Sequence, residues 1–317
     1  MNPFMGHDTG IHWFIHEDLG RGDITTDLLL GSGDCELKAV ITAHESCVAA
    51  GLDEAEEVFR ELHVQVMRKI LDGEEISKGT EVMTVQGSAK GILAGERVAL
   101  NFMMRMSGIA TRTRRLVKKC RRLNPAIKIA ATRKTTPGFR YYEKKAVAIG
   151  WGHTHRFRLD DMVLIKDNHL MIEPSITKAV KKVKSTGYTG QVEIEVTDLV
   201  KAVEAAKAGA DIVMLDNFTP KDAARACNAV KRARNETQVE VSGGITEQNI
   251  LRYAKHADMI SLGALTHSVK AVNFSLTVLQ VVEDEEAKKA KSLAHEMVKS
   301  LSDEMVKEHR TKKHERI

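Results

Sequence analysis

Aromatic side chains are scarce in this chain: Phe, Trp and Tyr together account for 4% of its 317 residues. A base-stacking platform for single-stranded nucleic acid needs aromatic faces in series, so that class of partner is not expected. Cysteine is equally sparse. Cys35, Cys47, Cys120 and Cys227 are scattered with no CxxC spacing, which argues against both a disulfide framework and a zinc site. No apolar run approaches the ~20 residues that a membrane helix needs. The opening stretch "MNPFMGHDTGIHWFIHEDLG" is interrupted by histidines and acids and lacks the apolar core of a signal peptide. These absences together lead us to expect a cytoplasmic protein with neither a membrane nor a nucleic-acid partner.

What is present is ordinary in amount and unusual in placement. Hydrophobic residues make up 43% and charged residues 29%, enough for one large domain or two moderate ones. The net charge of +5 comes largely from runs such as "VKKCRR" and "EHRTKKHER", which solvated helix faces explain as well as an anionic partner does.

From about residue 128 the chain develops a rhythm. Short β-branched segments ("IKIAATRK", "DMVLIKDN", "VEIEVTD", "DIVMLDN", "VEVSGG", "MISLGA") alternate with longer stretches of helical pattern. In "TDLVKAVEAAKAGA", Leu199, Val200, Val203 and Ala206 recur at helical spacing, with Gly209 near the stop. "TPKDAARACNAVKRAR" opens on Thr219 and Pro220, a helix-start pair. Strand and helix in this alternation predict βα units and a parallel, barrel-like sheet. The first ~100 residues show an α+β pattern instead, so a separate N-terminal domain is expected. A long amphipathic helix over about residues 94 to 122 links the two. Near the end, Leu293, Met297, Leu301 and Met305 are spaced at four within alternating charge, predicting one more amphipathic helix and a frayed basic end.

Each apolar segment carries its polar groups at or near its C-terminal end: Arg133 and Lys134, Lys166 and Asp167, Glu195, Asp216, Ser242, and finally Gly263. Strands may stop wherever polarity resumes, but that explains poorly a series so rich in Lys, Arg, Glu and Asp. In βα barrels the active site is built at this carboxyl edge from several strands. "SGGI" at 242 to 245 and "LGAL" at 262 to 265 suit phosphate, because glycines let backbone N–H groups approach it. A tight turn is the competing explanation. Glu195 and Asp216 end successive strands and face one mouth, where they suit Mg²⁺ or general acid/base work. Glu193, two residues earlier, lies on the same face one layer deeper and should pair with a buried cation.

Lys134 and Lys166 end two further strands. A desolvated barrel lysine can form a Schiff base, but the charge crowding this mouth favours a lysine that holds an anion. "GWGHTHRFRLDDMVLIKDNHL", residues 150 to 170, places His155 and Arg156 beside Arg133 and Lys134. The result is a cationic wall suited to a small ligand with several carboxylates. A metal held by His153 and His155 would be repelled by Arg156 and Lys166.

Taken in order from about residue 17 to 276, "EDLGRGDITTDLL", "GERVALNFMMRMSGIAT", "ATRKTTPGFRYYEKKAVAIG", "HRFRLDDMVLIKDNHL", "VEIEV", "VMLDNF", "VSGGI" and "SLGALTHS" resemble the quinolinate phosphoribosyltransferase family, the carboxylating nicotinate-nucleotide pyrophosphorylases. "TRKTTPG" and "LIKDNH" are the most specific of these stretches. The resemblance implies an α/β protein: an N-terminal α/β sandwich over 1–110, with 268–285 as a candidate addition. An irregular, open α/β barrel over 111–267 would follow, then a charged helical tail over 286–317. It implies transfer of phosphoribose from phosphoribosyl pyrophosphate to quinolinate with loss of CO₂, in a homodimer with shared sites.

Carried onto this sequence, Arg133, His155 and Arg156 would hold the quinolinate carboxylates, with Lys134 and Lys166 bridging ligand and phosphates. Arg105 would reach the partner's site. Glu195 and Asp216 would handle Mg²⁺ and the ribose hydroxyls. Ser242, Gly243, Gly244 and Gly263 would cradle the 5′-phosphate. One departure stands out: where the family usually has a Gly-rich run before the His-Arg pair, this chain has Trp151 and His153. Three alternatives compete: a same-fold paralogue of the molybdenum-transport-associated type, a Lys166 Schiff-base aldolase, and a nucleic-acid-binding protein using its basic helix and tail.

Overall fold

The computed structural model describes residues 10–282. The predicted tail helix, with Leu293 to Met305, therefore lies outside the described residues. The N-terminal elements are α1 (Ile11–Leu19), α2 (Ile24–Leu30), β1 (Glu36–Ala43), β2 (Cys47–Val48), α3 (Leu52–Glu61), β3 (Gln65–Lys69), β4 (Glu75–Ile76) and β5 (Glu81–Ser88). The long helix α4 (Ala89–Arg121) follows. The second half holds β6 (Lys128–Ala130), α5 (Arg140–Ile149), β7 (Val163–Ile165), α6 (Asp167–Leu170), α7 (Ile176–Ser185) and β8 (Val192–Val196). It continues through α8 (Leu199–Ala208), β9 (Ile212–Asp216), α9 (Pro220–Ala233), β10 (Gln238–Ser242), α10 (Leu251–Ala254), β11 (Met259–Ser261), α11 (Ala264–His267) and β12 (Phe274–Val282).

The first sheet is antiparallel where its strands meet and runs β12-β1-β5-β3. Its edge strand β12 returns from the far end of the described chain and pairs with β1 from Ala43↔Phe274 to Glu36↔Val282. Helix α3 turns Leu52, Ala55, Val58 and Phe59 inward and packs on α4 and β3. Strand β3 was not anticipated, because "QVMRK" lacks a clear alternation and is largely exposed.

Helix α4 begins five residues before the sequence suggests. Ser88 caps it by accepting from the Gly91 N–H at 3.2 Å, so the helix nucleates directly out of β5. Glycines allow its close packing: a β-carbon at Gly108 would overlap the Lys270 carbonyl oxygen. Among the described residues, no helix is long and apolar enough to cross a membrane.

The second sheet is parallel, in the order β6-β11-β10-β9-β8-β7. On the free edge of β6 the His153 backbone adds an isolated parallel bridge to Ala130, so the segment leading into β7 serves as a partial stave. Alternation explains the strand composition. Val213 and Leu215 of β9, Val239 and Val241 of β10, and Ile194 of β8 face outward into the helix layer. Ala130, Ile212 and Met259 point inward and plug the barrel below its mouth, with Met162 against them.

The helices close as their caps dictate. Asp198 accepts from the Lys201 N–H at 2.9 Å to start α8, and Gly209 ends that helix at φ +99°. Thr219 and Pro220 start α9 as expected. Within α8 the expected apolar face is wrong in one respect. Val200 is 77% exposed, and the helix packs through Ala202, Ala205 and Ala206. Val200 lies well round the helix from that alanine stripe, and small residues are what let α8 approach the sheet.

Candidate active site

The carboxyl ends of the parallel strands enclose a cavity of about 310 Å³. Nine of the expected residues line it: Arg133, Lys134, His155, Arg156, Lys166, Glu195, Asp216, Ser242 and Gly243. Register explains the gathering. Asp216 of β9 pairs with Ser242 of β10, and Glu195 of β8 pairs with Met214, which pairs in turn with Glu240. The cavity wall is therefore two stacked rows, Asp216 and Ser242 above Glu195, Met214 and Glu240.

Gly244 and Gly263 follow or flank this lining without being part of it. A β-carbon at Gly263 would lie 3.0 Å from Lys134 Cδ, so that glycine makes room for the lysine stem. At Gly243 (φ +79°) a β-carbon would sit 2.7 Å from Asp216 Oδ1 and closer still to Asn217 Oδ1. Asn217 is itself left-handed (φ 57°), donates its side-chain amide to Asp216 Oδ2 at 2.7 Å, and donates its N–H to Ser242 O at 3.0 Å. The turn after β10 is thus locked against the end of β9, and only glycine fits there.

Lys166 forms an ion pair with Glu195 across neighbouring strands. The loop bearing Arg133 and Lys134 is fastened at its base. Thr266 Oγ1 donates to the Lys134 carbonyl at 2.7 Å, and the Lys134 N–H reaches Thr132 Oγ1 at 3.1 Å.

His155 reaches deep into the barrel. Its Nε2 lies 3.1 Å from Glu240 Oε2 and 3.3 Å from Glu193 Oε2, and both carboxylates are fully buried. Burial opposes ionisation of this imidazole, but hydrogen bonds to Glu193 and Glu240 outweigh it and lift His155 to about 9. Burial, with the Glu240 charge beside it, raises Glu193. The buried cation expected for Glu193 is therefore His155. Glu240 went unrecognised in the sequence, as did Ser261, which also lines the cavity. The available signal was alternation, because Glu240 stands beneath Ser242 as Glu193 stands beneath Glu195. Glu240 Oε1 and Ser261 Oγ are buried and accept or donate no hydrogen bond within the described residues.

Among the described residues, His155, Glu193 and Glu240 form the one cluster of three groups close enough to share a metal ion, and His153 is outside it. One imidazolium there balances one of the two carboxylates, and burial beside Glu240 favours the protonated form of the other, Glu193. The His153 and His155 rings stand 6.4 Å apart, edge to face. Trp151 turns away from the cavity. It is 49% exposed, with the Arg114 guanidinium stacked 3.5 Å from its ring centroid.

Arg105 does not line this cavity. Its guanidinium donates to Glu143 Oε1 at 2.5 Å and to the Thr266 carbonyl at 2.6 Å. It borders a separate, more apolar hollow of about 460 Å³ with Trp13, Phe14, Phe102 and Phe139.

Residues 23–107 match the N-terminal domain of quinolinate phosphoribosyl transferase, and residues 109–277 match its C-terminal domain. The junction of the two matches falls inside α4. The chain is 45% identical over 272 residues to a probable carboxylating nicotinate-nucleotide pyrophosphorylase of Methanothermobacter thermautotrophicus, covering 84% of this chain and 97% of that protein. It is 39% identical over 249 residues to the carboxylating nicotinate-nucleotide pyrophosphorylase of Rattus norvegicus, covering 78% and 83%. Among solved structures, the nicotinate-nucleotide pyrophosphorylase of Francisella tularensis superposes with a TM-score of 0.78 at 38% identity, over 84% of this chain and 94% of that one. With both halves matched in order and the strand-end residues gathered in one mouth, the chain belongs to the quinolinate phosphoribosyl transferase family.

Proposed function

We propose that this protein is a cytoplasmic enzyme that transfers phosphoribose from phosphoribosyl pyrophosphate to the ring nitrogen of quinolinate. The 2-carboxylate then leaves as CO₂, giving nicotinate mononucleotide and pyrophosphate for NAD biosynthesis. The observation that carries this reading is the union of two unlike walls in one cavity. Arg133, His155 and Arg156 form a cationic wall, and Asp216, Ser242 and Gly243 line the same cavity at a glycine turn.

In this reading Arg133 and Arg156 grip the acceptor's carboxylates, since a guanidinium offers paired donors that match a carboxylate. His155 closes the floor between them. Lys134 and Lys166 bridge acceptor and phosphates, and Ser242, Gly243, Gly244 and Gly263 take the 5′-phosphate. Departure of pyrophosphate leaves positive charge on the ribose, which the Glu195 and Asp216 carboxylates stabilise from fixed positions. The attacking nitrogen becomes cationic, so it stabilises the carbanion left at the neighbouring carbon when the carbon–carboxylate bond breaks, and a proton from solvent then completes that carbon. Holding both reactants in register is the protein's main contribution, an effect on the order of 7–11 kcal/mol.

The donor set also suits Mg²⁺. Glu195 and Asp216 offer hard carboxylate oxygens on neighbouring strands, and phosphate and water would complete the shell. When bound, Mg²⁺ would neutralise charge on the pyrophosphate. The ion pair of Lys166 with Glu195 supports an anion-holding lysine over a Schiff-base nucleophile, which has to be neutral.

We further propose a homodimer in which Arg105 serves the neighbour's cavity, in keeping with its absence from its own. A higher oligomer would be compatible with this. The direct test supplies quinolinate, phosphoribosyl pyrophosphate and Mg²⁺ and follows nicotinate mononucleotide and CO₂. No product from folded protein, or equal use of nicotinate, overturns the reading and favours a paralogue acting on another acceptor. For shared sites, mixing Arg105→Ala with Lys166→Ala protomers should restore part of the activity; silent heterodimers would refute the sharing.

A further inference from the structure

His155 and Arg156 are adjacent in sequence, yet both line the cavity. In an extended chain, neighbouring side chains point to opposite faces. The alternation is broken here because His155 is left-handed, at φ 53°, a conformation that side chains bearing a β-carbon adopt only when held in it. The His153 ring accepts from the His155 N–H at 3.1 Å, and a second residue, on another element, grips both sides of the turn. Lys144 of α5 is fully buried, and its Nζ donates to the Thr154 carbonyl at 2.7 Å and to the Arg156 carbonyl at 2.5 Å. These carbonyls stand on either side of His155. The Phe157 ring lies 5.0 Å from the same nitrogen.

From this geometry we infer that Lys144 is the positioning residue of the acceptor clamp: by bracketing the reversed backbone at His155 it aims His155 and Arg156 together into the cavity. Lys144 does not line the cavity itself, so it acts only through the backbone it holds. Burial, then the charge of Arg140, pulls Lys144 down to about 7. An ammonium carries three N–H bonds and a neutral amine two, so both carbonyls are served in either state. Arg140, one turn earlier, assists from the same helix by donating to the Phe157 carbonyl at 3.1 Å. The inference rests on the reading that Arg156 takes the acceptor.

The test is a split between the two substrates. Lys144→Met removes the donors and keeps the bulk. It should raise KM for quinolinate about tenfold or more while moving KM for phosphoribosyl pyrophosphate less than about threefold. Lys144→Gln, which retains N–H donors, should lie nearer the wild type. It also carries the test alone if the Met variant does not fold, with the same split expected in weaker form. An unchanged quinolinate KM, or an equal rise in both constants, overturns the inference. Arg156→Ala is run beside them. If it too leaves quinolinate KM unchanged, the site reading fails; if it raises KM and Lys144→Met does not, only the positioning role fails.

Discussion

Arg105 and Glu143 are bound side chain to side chain, NH2 to Oε1 at 2.5 Å, and they join the long helix α4 to α5. The Glu143 carboxylate is fully buried and also accepts from the Thr136 N–H at 3.2 Å and the Thr136 hydroxyl at 2.9 Å. One acid therefore ties Arg105 to the loop that follows Arg133 and Lys134.

Among the described residues, removing the arginine leaves that buried charge with only the Thr136 donors. Arg105→Ala should cost about 2 kcal/mol, below the usual 3–5 for a broken buried pair, because those donors remain and Arg105 is partly exposed. Urea unfolding measures it. Adding Glu143→Ala should cost less than the sum of the single changes, and strict additivity would show that the pair is not coupled.

Gly243 and Gly244 are both left-handed but differ in the room around them. A β-carbon at Gly243 would collide with Asp216 and Asn217, whereas at Gly244 its nearest neighbour is 3.9 Å away. Gly243→Ala should therefore raise KM for phosphoribosyl pyrophosphate about tenfold or more. Gly244→Ala, with room for the methyl, should raise that KM less and lower stability by about 1–2 kcal/mol of backbone strain. An unchanged KM for phosphoribosyl pyrophosphate in Gly243→Ala would count against the phosphate turn.

The His155 cluster predicts a pH dependence of stability. Its folded pKa of about 9 lies above the ordinary 6.5, so its contribution is complete below pH 6.5 and is lost as pH rises through 9. Raised Glu193 works in the same direction, since ionising it sets a second buried negative charge beside Glu240 against a single imidazolium. The Tm advantage of the wild type over His155→Gln should shrink between pH 6.5 and 9.5. A constant difference across that range would mean that the imidazole is not the charged partner of the two acids.

Trp151 is a departure from the family's glycine-rich loop with a local explanation. It adopts φ 69°, where glycine is favoured, and is compensated by the stacked Arg114. Trp151→Gly relieves the strain and loses the stacking, so its stability should change by less than about 1 kcal/mol. Trp151→Ala keeps the strain and should lose about 1 kcal/mol. Neither should alter KM for quinolinate, because the ring faces away from the cavity; a shift in that KM would place Trp151 in the site after all.

The βα rhythm, the parallel sheet and most of the mouth were legible from the residues alone. Period-two strands with polar C-terminal ends are a local signal, and nine of the twelve expected residues do line one cavity. The sequence also carried the helix start at Thr219, whose cap acts within a single turn. Other relations between distant segments came from packing alone. The pairing of β12 with β1, the burial of Glu240 beneath His155, the grip of Lys144 on the His155 backbone, and the outward turn of Trp151 onto Arg114 are of this kind. A buried lysine and an exposed tryptophan run against their residue's habit, so composition and spacing do not announce them. "GWGHTHRFRLDDMVLIKDNHL" names the groups of an anion clamp, but the left-handed turn that aims two consecutive side chains into one cavity is held by α5.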